Sequence, residues 1–167
     1  MNRHLPNWRS LLYVPASEER FVAKAHERGA DAIILDLEDG VAPDSKARAR
    51  AGLAAAAASA RQNGADIVVR INRPLRMAAE DIAAAAAAGA DGVICTKMMG
   101  ADHVRLLSEL AAESEMAAGR AVGSLRFIVL IEDAAALRQA DAIAGADPRI
   151  VALGVGGEDL ATDLGAE

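Results

Sequence analysis

Cysteine is nearly absent from this sequence: Cys95 stands alone among 167 residues. That excludes an intrachain disulfide and leaves no thiolate cluster for zinc. Within the strand-like segment GVIC it reads as a small buried apolar side chain. Histidine is scarce as well. His4, His26 and His103 are scattered without HExxH or another paired-ligand spacing, so a metal bound here would be held by oxygen. Positive charge is outweighed, with 18 lysines and arginines against 24 aspartates and glutamates and a formal net charge of -6. Nucleic acid and anionic membrane surfaces both need a basic face, so neither is expected as a partner. Long apolar runs are missing too. No stretch approaches the roughly 18 to 20 residues of a membrane span, and the start, MNRHLPNWRS, lacks the apolar centre of a signal peptide. These absences lead to the expectation of a cytoplasmic protein. An anionic substrate would then need local positive charge or a metal.

What is present is apolar material, at 53% of residues, enough for one substantial core over a single domain, 1–167. Short β-branched or apolar runs alternate with longer alanine-rich, charge-decorated stretches, the pattern of repeated βα units around a parallel sheet. Six strand candidates are RSLLYVP from Arg9, DAIILDL from Asp31, DIVVRIN from Asp66, DGVICTK from Asp91, LRFIVLIE from Leu125 and RIVALGV from Arg149. Their nearly continuous apolar character suits strands covered on both faces. Helices are expected at about 17–28, 44–62, 79–88, 101–118 and 133–143, with Gly29, Gly64, Gly89 and Gly119 as C-terminal caps. The alanine runs 54–58 and 83–88 read as thin helix faces packed on the sheet. Two architectures remain open on periodicity alone: a doubly wound sheet, and a (β/α)8 TIM-type barrel of which six βα units are present.

The polar residues cluster at the strand exits. Strand two ends in Asp36, Glu38 and Asp39, strand three in Arg70 and Asn72, and strand four in Lys97. Strand five ends in Glu132, and strand six in Glu158 and Asp159, followed by Asp163. A parallel sheet brings all of these to one face. So many carboxylates raise one another's pKa values unless positive charge sits among them, and a divalent cation would supply it. Magnesium commonly takes one or two protein carboxylates and keeps the remaining positions for water and substrate, which suits Glu132 and Asp159. Helix capping is the plainer role for Asp39 and Asp163. The Arg70 guanidinium could clamp a carboxylate bidentately or pair with a strand-end acid. Lys97 either faces an anion or neutralises the rim. The run GVGGED, from Gly154 to Asp159, misses the GxGxxG dinucleotide pattern, and its glycines read as permitting a tight turn that brings Asp159 to a metal.

The segment RSLLYVPASEERFVAKAHERGADAIILDLEDGVAPDSKARAR resembles the opening of the HpcH/HpaI aldolase and citrate lyase beta-subunit family. VVRIN, DGVICTK, FIVLIED and GVGGEDLATDLG follow in the family's order. The resemblance implies a magnesium-dependent barrel that cleaves or forms carbon–carbon bonds between a 2-keto acid and an acyl-CoA or acyl-carrier thioester. It implies Arg70 and Glu132 as catalytic and substrate-binding residues; Lys97 and Gly157 are further candidates for substrate contact. It implies Glu132 and Asp159 as the Mg2+ ligands, with Glu38 and Asp39 acting through metal-bound water; Asp36 is expected to stand behind the ligands with them. Alternatives are a class II pyruvate aldolase acting on hydroxy-keto acids and a non-catalytic barrel fragment that keeps the metal site. Family members continue through two more strands, so strands seven and eight are expected to be lacking here. An open parallel edge invites association, and a homo-oligomer is expected.

Overall fold

The computed structural model describes residues 5–166; Glu167 and the first four residues, His4 among them, lie outside the described residues. Six strands form, β1 Leu11–Pro15, β2 Ala32–Asp36, β3 Asp66–Ile71, β4 Gly92–Cys95, β5 Arg126–Ile131 and β6 Ile150–Val155. All neighbours are parallel, and the spatial order is the sequence order. That order decides between the two architectures. A doubly wound sheet reverses its winding at a switch point, whereas a sheet that adds every strand on the same side is the wall of a barrel. The wall is open among the described residues, because β1 and β6 do not pair with each other.

Helices cover the outer face: α1 Glu19–Ala25, α2 Lys46–Ala51, α3 Leu53–Ala60, α4 Leu75–Ala87, α5 Ala101–Ala117, α6 Ala134–Arg138, α7 Ala140–Ala144 and α8 Gly157–Leu164. Several bounds differ from the sequence expectation. The helix expected over 44–62 is divided at Gly52, and the one over 133–143 at Gln139. The helix expected from Ala79 begins at Leu75, directly after Pro74, whose ring sets the entry angle. The acidic segment of α8 was expected only as the tail of a strand-exit motif. The four glycines expected as caps, Gly29, Gly64, Gly89 and Gly119, all have positive φ.

The sheet has two apolar faces. Outward, Ile33, Leu35, Ile67, Val69, Val93, Phe127 and Val129 pack beneath helix residues such as Leu53, Ala57, Ile82, Ala85 and Leu107. The alanines let the helices lie close to the strands. Inward, Ala32, Ile34, Val68, Ile94 and Ile128 form a second, smaller core joined by Trp8. Trp8 covers the N-terminal end of this trough. Its indole N–H donates to Asp66 at 2.6 Å, and its ring lies against Gly92, where an added Cβ would stand 3.0 Å from the indole and 2.7 Å from the Arg126 carbonyl oxygen. Leu11, Tyr13 and Leu153 line the trough and stay exposed. The free thiol of Cys95 is buried on the helix side, and burial pushes its pKa up to about 12.

One ion pair anchors the N-terminal end of the sheet. Glu115 of α5 accepts hydrogen bonds from both terminal guanidinium nitrogens of Arg149 at 2.8 Å, from the amides of Gly123 at 2.8 Å and Leu125 at 2.6 Å, and from the Ser124 hydroxyl at 3.1 Å. Burial opposes its charge, but these donors hold its pKa down, from 4.5 to about 2. A depressed carboxylate pKa stabilises the fold above the ordinary value, and that contribution is lost as pH falls toward the folded one. Glu115→Gln, which strands Arg149, is expected to lower the unfolding free energy at pH 7 by about 3 kcal/mol in a urea titration. It should also flatten the loss of stability between pH 4.5 and 2. Identical acid limbs in the two proteins would remove Glu115 from this role.

Candidate active site at the strand exits

The β2–β3 register sets Asp36 directly opposite Arg70. Arg70 donates to Asp36 through Nε at 2.8 Å and Nη2 at 2.7 Å. The same carboxylate accepts the amides of Glu38 and Gly40, both at 2.8 Å. Four donors therefore saturate Asp36, which anchors Arg70 and the loop that follows β2. Asp36 thus lies behind the cavity and acts on it through Arg70 and the loop. It also narrows the role of Arg70, whose Nε–Nη2 edge is already engaged. The guanidinium lies over the Tyr13 ring, 4.9 Å from its centroid, and Nη1 stands 3.4 Å from Glu38. An incoming carboxylate or carbonyl would meet the Nη1 end. Burial works against the charge of Arg70, but its bonds to Asp36 outweigh that and raise its pKa above the ordinary value.

Lys97 is turned toward the acids. Its Nζ donates to Glu38 at 2.7 Å and lies 3.4 Å from Asp39 and 3.3 Å from Asp159. Of the two readings left open by the sequence, this geometry is that of rim neutralisation. Burial opposes the ammonium charge, yet Glu38 and Asp39 hold it protonated beyond the usual lysine range. Burial likewise works against the Asp39 carboxylate, and the Lys97 charge overrides it to lower that pKa. The Lys97 backbone N–H donates to Glu132, held in that direction by a positive φ of 50°. Glu38 is buried, and its Oε2 accepts no hydrogen bond.

Glu132, at the exit of β5, is nearly buried. Burial raises its pKa, the charges of Glu38 and Asp159 add to the shift, and the Lys97 amide opposes it. Gly156 leaves room for this side chain: an added Cβ would fall 2.4 Å from Glu132 Cγ. Glu132, Asp159, Asp39, Arg70, Tyr13 and Gly157 border one cavity of about 260 Å³, and nothing lies over the Cα of Gly157. Asp163 instead accepts the Ala134 amide at 2.8 Å and caps α6, the plainer of its two expected roles. Tyr13 gave no signal in the sequence beyond its place in a strand. Lys46 gave none either, yet its Nζ donates to the Leu37 and Glu38 carbonyls at 3.0 and 2.8 Å and to Asn72 at 2.8 Å.

Oxygen donors with uncompensated charge suit a divalent ion. Asp36, Glu38, Asp39, Glu132, Glu158 and Asp159 gather at this end against Arg70 and Lys97 alone as described contacts. Glu38 Oε2 accepts no hydrogen bond from the described residues and has only the longer ion-pair contact to Arg70 Nη1. Among the described residues no three carboxylate, imidazole or thiol groups converge as a ready-made cage. A site with few protein ligands and room for water is the kind that magnesium takes.

An all-parallel wall in sequence order, with carboxylates and an arginine at its C-terminal rim, defines the class: a TIM-barrel-type α/β fold, open among the described residues. The chain belongs to the HpcH/HpaI aldolase/citrate lyase family, whose model matches residues 9–167. It is 34% identical over 158 residues to a (3S)-malyl-CoA thioesterase of Cereibacter sphaeroides, covering 94% of this chain and 51% of that protein. It is 35% identical over 171 residues to an L-malyl-CoA/beta-methylmalyl-CoA lyase of the same species, covering 97% and 52%. Among solved structures it is similar to a citrate lyase beta subunit from M. tuberculosis complexed with oxaloacetate and magnesium. There the TM-score is 0.71 and the identity 32%, over 99% of this chain and 66% of that one. The chain thus spans about half the length of the curated relatives it matches. Among the described residues no helix is long and apolar enough to cross a membrane.

Asp36→Asn should expose how far the rim depends on one carboxylate. Losing the charge opposite buried Arg70 is expected to cost about 3 kcal/mol in chemical denaturation and to loosen the loop at 37–40, seen as faster amide exchange at Glu38 and Gly40. Unchanged exchange at both amides would contradict the anchoring role.

Proposed function

We propose that this chain carries the magnesium- and keto-acid-binding face of a carbon–carbon lyase. Its substrate would be a 3-hydroxyacyl thioester of the citryl-, malyl- or citramalyl-CoA type, and its products a 2-keto acid and an acyl thioester. The observation that carries the reading is the single cavity bordered by Glu132, Asp159 and Arg70, reached from three strand exits. The similar structure solved with oxaloacetate and magnesium supports the pairing of keto acid and ion.

Glu132 and Asp159 would hold the ion, and Glu38 and Asp39 would reach it through water. Bound there, magnesium supplies Lewis acidity toward the keto-acid oxygens. The Nη1 end of Arg70 donates to the substrate carboxylate and to the oxygen that gains charge as the reaction proceeds. Asp36 and the Tyr13 ring keep that end aimed at the cavity. Gly157 leaves space for the substrate to lie against backbone. In cleavage, the bond between the hydroxyl-bearing carbon and the thioester α-carbon breaks. Its electron pair goes to the acyl fragment as a thioester enolate. The hydroxyl loses its proton as the keto group forms, and the enolate α-carbon takes up one proton to give the acyl thioester, so no net proton is gained or lost. Lys97 serves the acids of the rim rather than the substrate.

Calorimetry tests the ligand assignment. Glu132→Gln and Asp159→Asn are each expected to weaken Mg2+ or Mn2+ binding at least about tenfold in folded protein, whereas Arg70→Lys should spare metal and weaken oxaloacetate about tenfold. Unchanged metal affinity in either carboxylate variant sinks the assignment. Cleavage of citryl-, malyl- and citramalyl-CoA by the protein with magnesium tests the reaction, and turnover of hydroxy-keto diacids in their place would favour the aldolase.

The 167-residue chain on its own is expected to self-associate. Neither β1 nor β6 has an outer neighbour among the described residues, and the apolar trough is exposed. A monodisperse monomer by light scattering would contradict this.

A further inference from the structure

One residue touches both carboxylates assigned to the metal, and it does so with different atoms. The Lys97 amide donates to Glu132, while its ammonium lies 3.3 Å from Asp159 and bridges Glu38 and Asp39 at 2.7 and 3.4 Å. Lys97 is also the one non-glycine residue with positive φ among those described, a conformation that costs about 1 kcal/mol and persists only where surrounding structure holds it. From it the amide faces β5 while the side chain crosses to the β2 loop and α8. We propose that Lys97 is an internal counter-ion: it keeps the ligand carboxylates assembled in the metal-free protein and competes with the divalent cation for Asp159.

The inference rests on the magnesium reading above and follows from charge. Glu38, Asp39 and Asp159 converge where like charges repel, and an ammonium has three protons to offer three carboxylates. Lysine suits a displaceable counter-ion because its charge is a point on a flexible four-carbon stem, unlike the planar fork of arginine. The Lys97 side chain is 38% exposed, so Nζ can swing toward water when a doubly charged ion takes over Asp159. The backbone bond to Glu132 does not depend on that movement. The cluster stays folded without metal, and it binds metal less tightly than its carboxylates alone would.

The test compares Lys97→Met, Lys97→Arg, Asp159→Asn and Arg76→Gln by Mn2+ calorimetry and by thermal melting with and without saturating metal. Arg76 lies in the first turn of α4 at the same end of the sheet and is almost wholly exposed, paired with Glu80, so its variant controls for loss of one positive charge. Lys97→Met is expected to bind Mn2+ about tenfold more tightly than wild type, to melt lower without metal and to regain the difference with it. Lys97→Arg should stay near wild type in the metal-free melt, and Arg76→Gln should change metal affinity less than about twofold. Equal or weaker metal binding by Lys97→Met overturns the proposal, as does equal tightening by Arg76→Gln. Unchanged binding by Asp159→Asn would overturn the magnesium reading and this inference with it. Loss of binding there beside an unaltered Lys97→Met overturns the counter-ion alone.

Discussion

The register of β2 against β3 governs most of what this molecule can do. Side chains alternate faces along a strand, so slipping β3 by one residue would drive Arg70 among the outer helices and turn its apolar neighbours into the trough. In the register observed, Asp36 and Arg70 are direct partners on the inner face. Their pair is more than a cross-strand contact, because Asp36 also gathers the amides of Glu38 and Gly40. Strand pairing thereby shapes a loop, the loop places Glu38, and Glu38 binds the Lys97 ammonium that reaches Asp159. Measured against an apolar pair of the same size, a buried ion pair adds little stability. Its value here is geometric.

A polar chain beneath the loop keeps that geometry from relaxing. Buried Asp81 of α4 accepts Arg50 at 2.6 Å, the Asn72 amide at 2.9 Å and the Asn72 side chain at 2.7 Å. Asn72 donates onward to the Leu37 carbonyl at 2.9 Å and accepts Lys46. Each partner is satisfied by the next, as a buried polar network must be if it is to rigidify rather than destabilise. The ends of β2 and β3 are thus tied to α2 and α4, which is the kind of outer support that holds a site within a fraction of an ångström.

The strands were legible in the sequence because each is an almost unbroken apolar run, with a charge at the exit of all but the first, and the carboxylates and Arg70 were legible for the same reason. The breaks at Gly52 and Gln139 were not, since alanine-rich helix continues on either side and propensity carries no mark of an interruption decided by packing on the sheet. Barrel and doubly wound sheet share one periodicity, and only spatial order separates them. In the site, the sequence supplied residue types but not partners. Nothing in the run DSKARAR singles out Lys46 from a solvated helix face, and a carboxylate saturated by four donors, like Asp36, looks the same in sequence as the under-bonded Glu38.

That difference in bonding separates the two ends of the sheet. At the N-terminal end, Glu115 receives five donors and its pKa falls to about 2. At the C-terminal end, Glu132 receives the Lys97 amide and two neighbouring negative charges, and its pKa rises. Both are glutamates with little exposure to water, so burial alone does not account for the opposite shifts; the supply of donors does. Where the fold provides every donor itself, the carboxylate is structural and needs nothing from outside. Where donors fall short, as at Glu132 and at Glu38 Oε2, which accepts no hydrogen bond from the described residues and has only Arg70 Nη1 3.4 Å away, a cation with its water brings the positive charge that the fold does not supply.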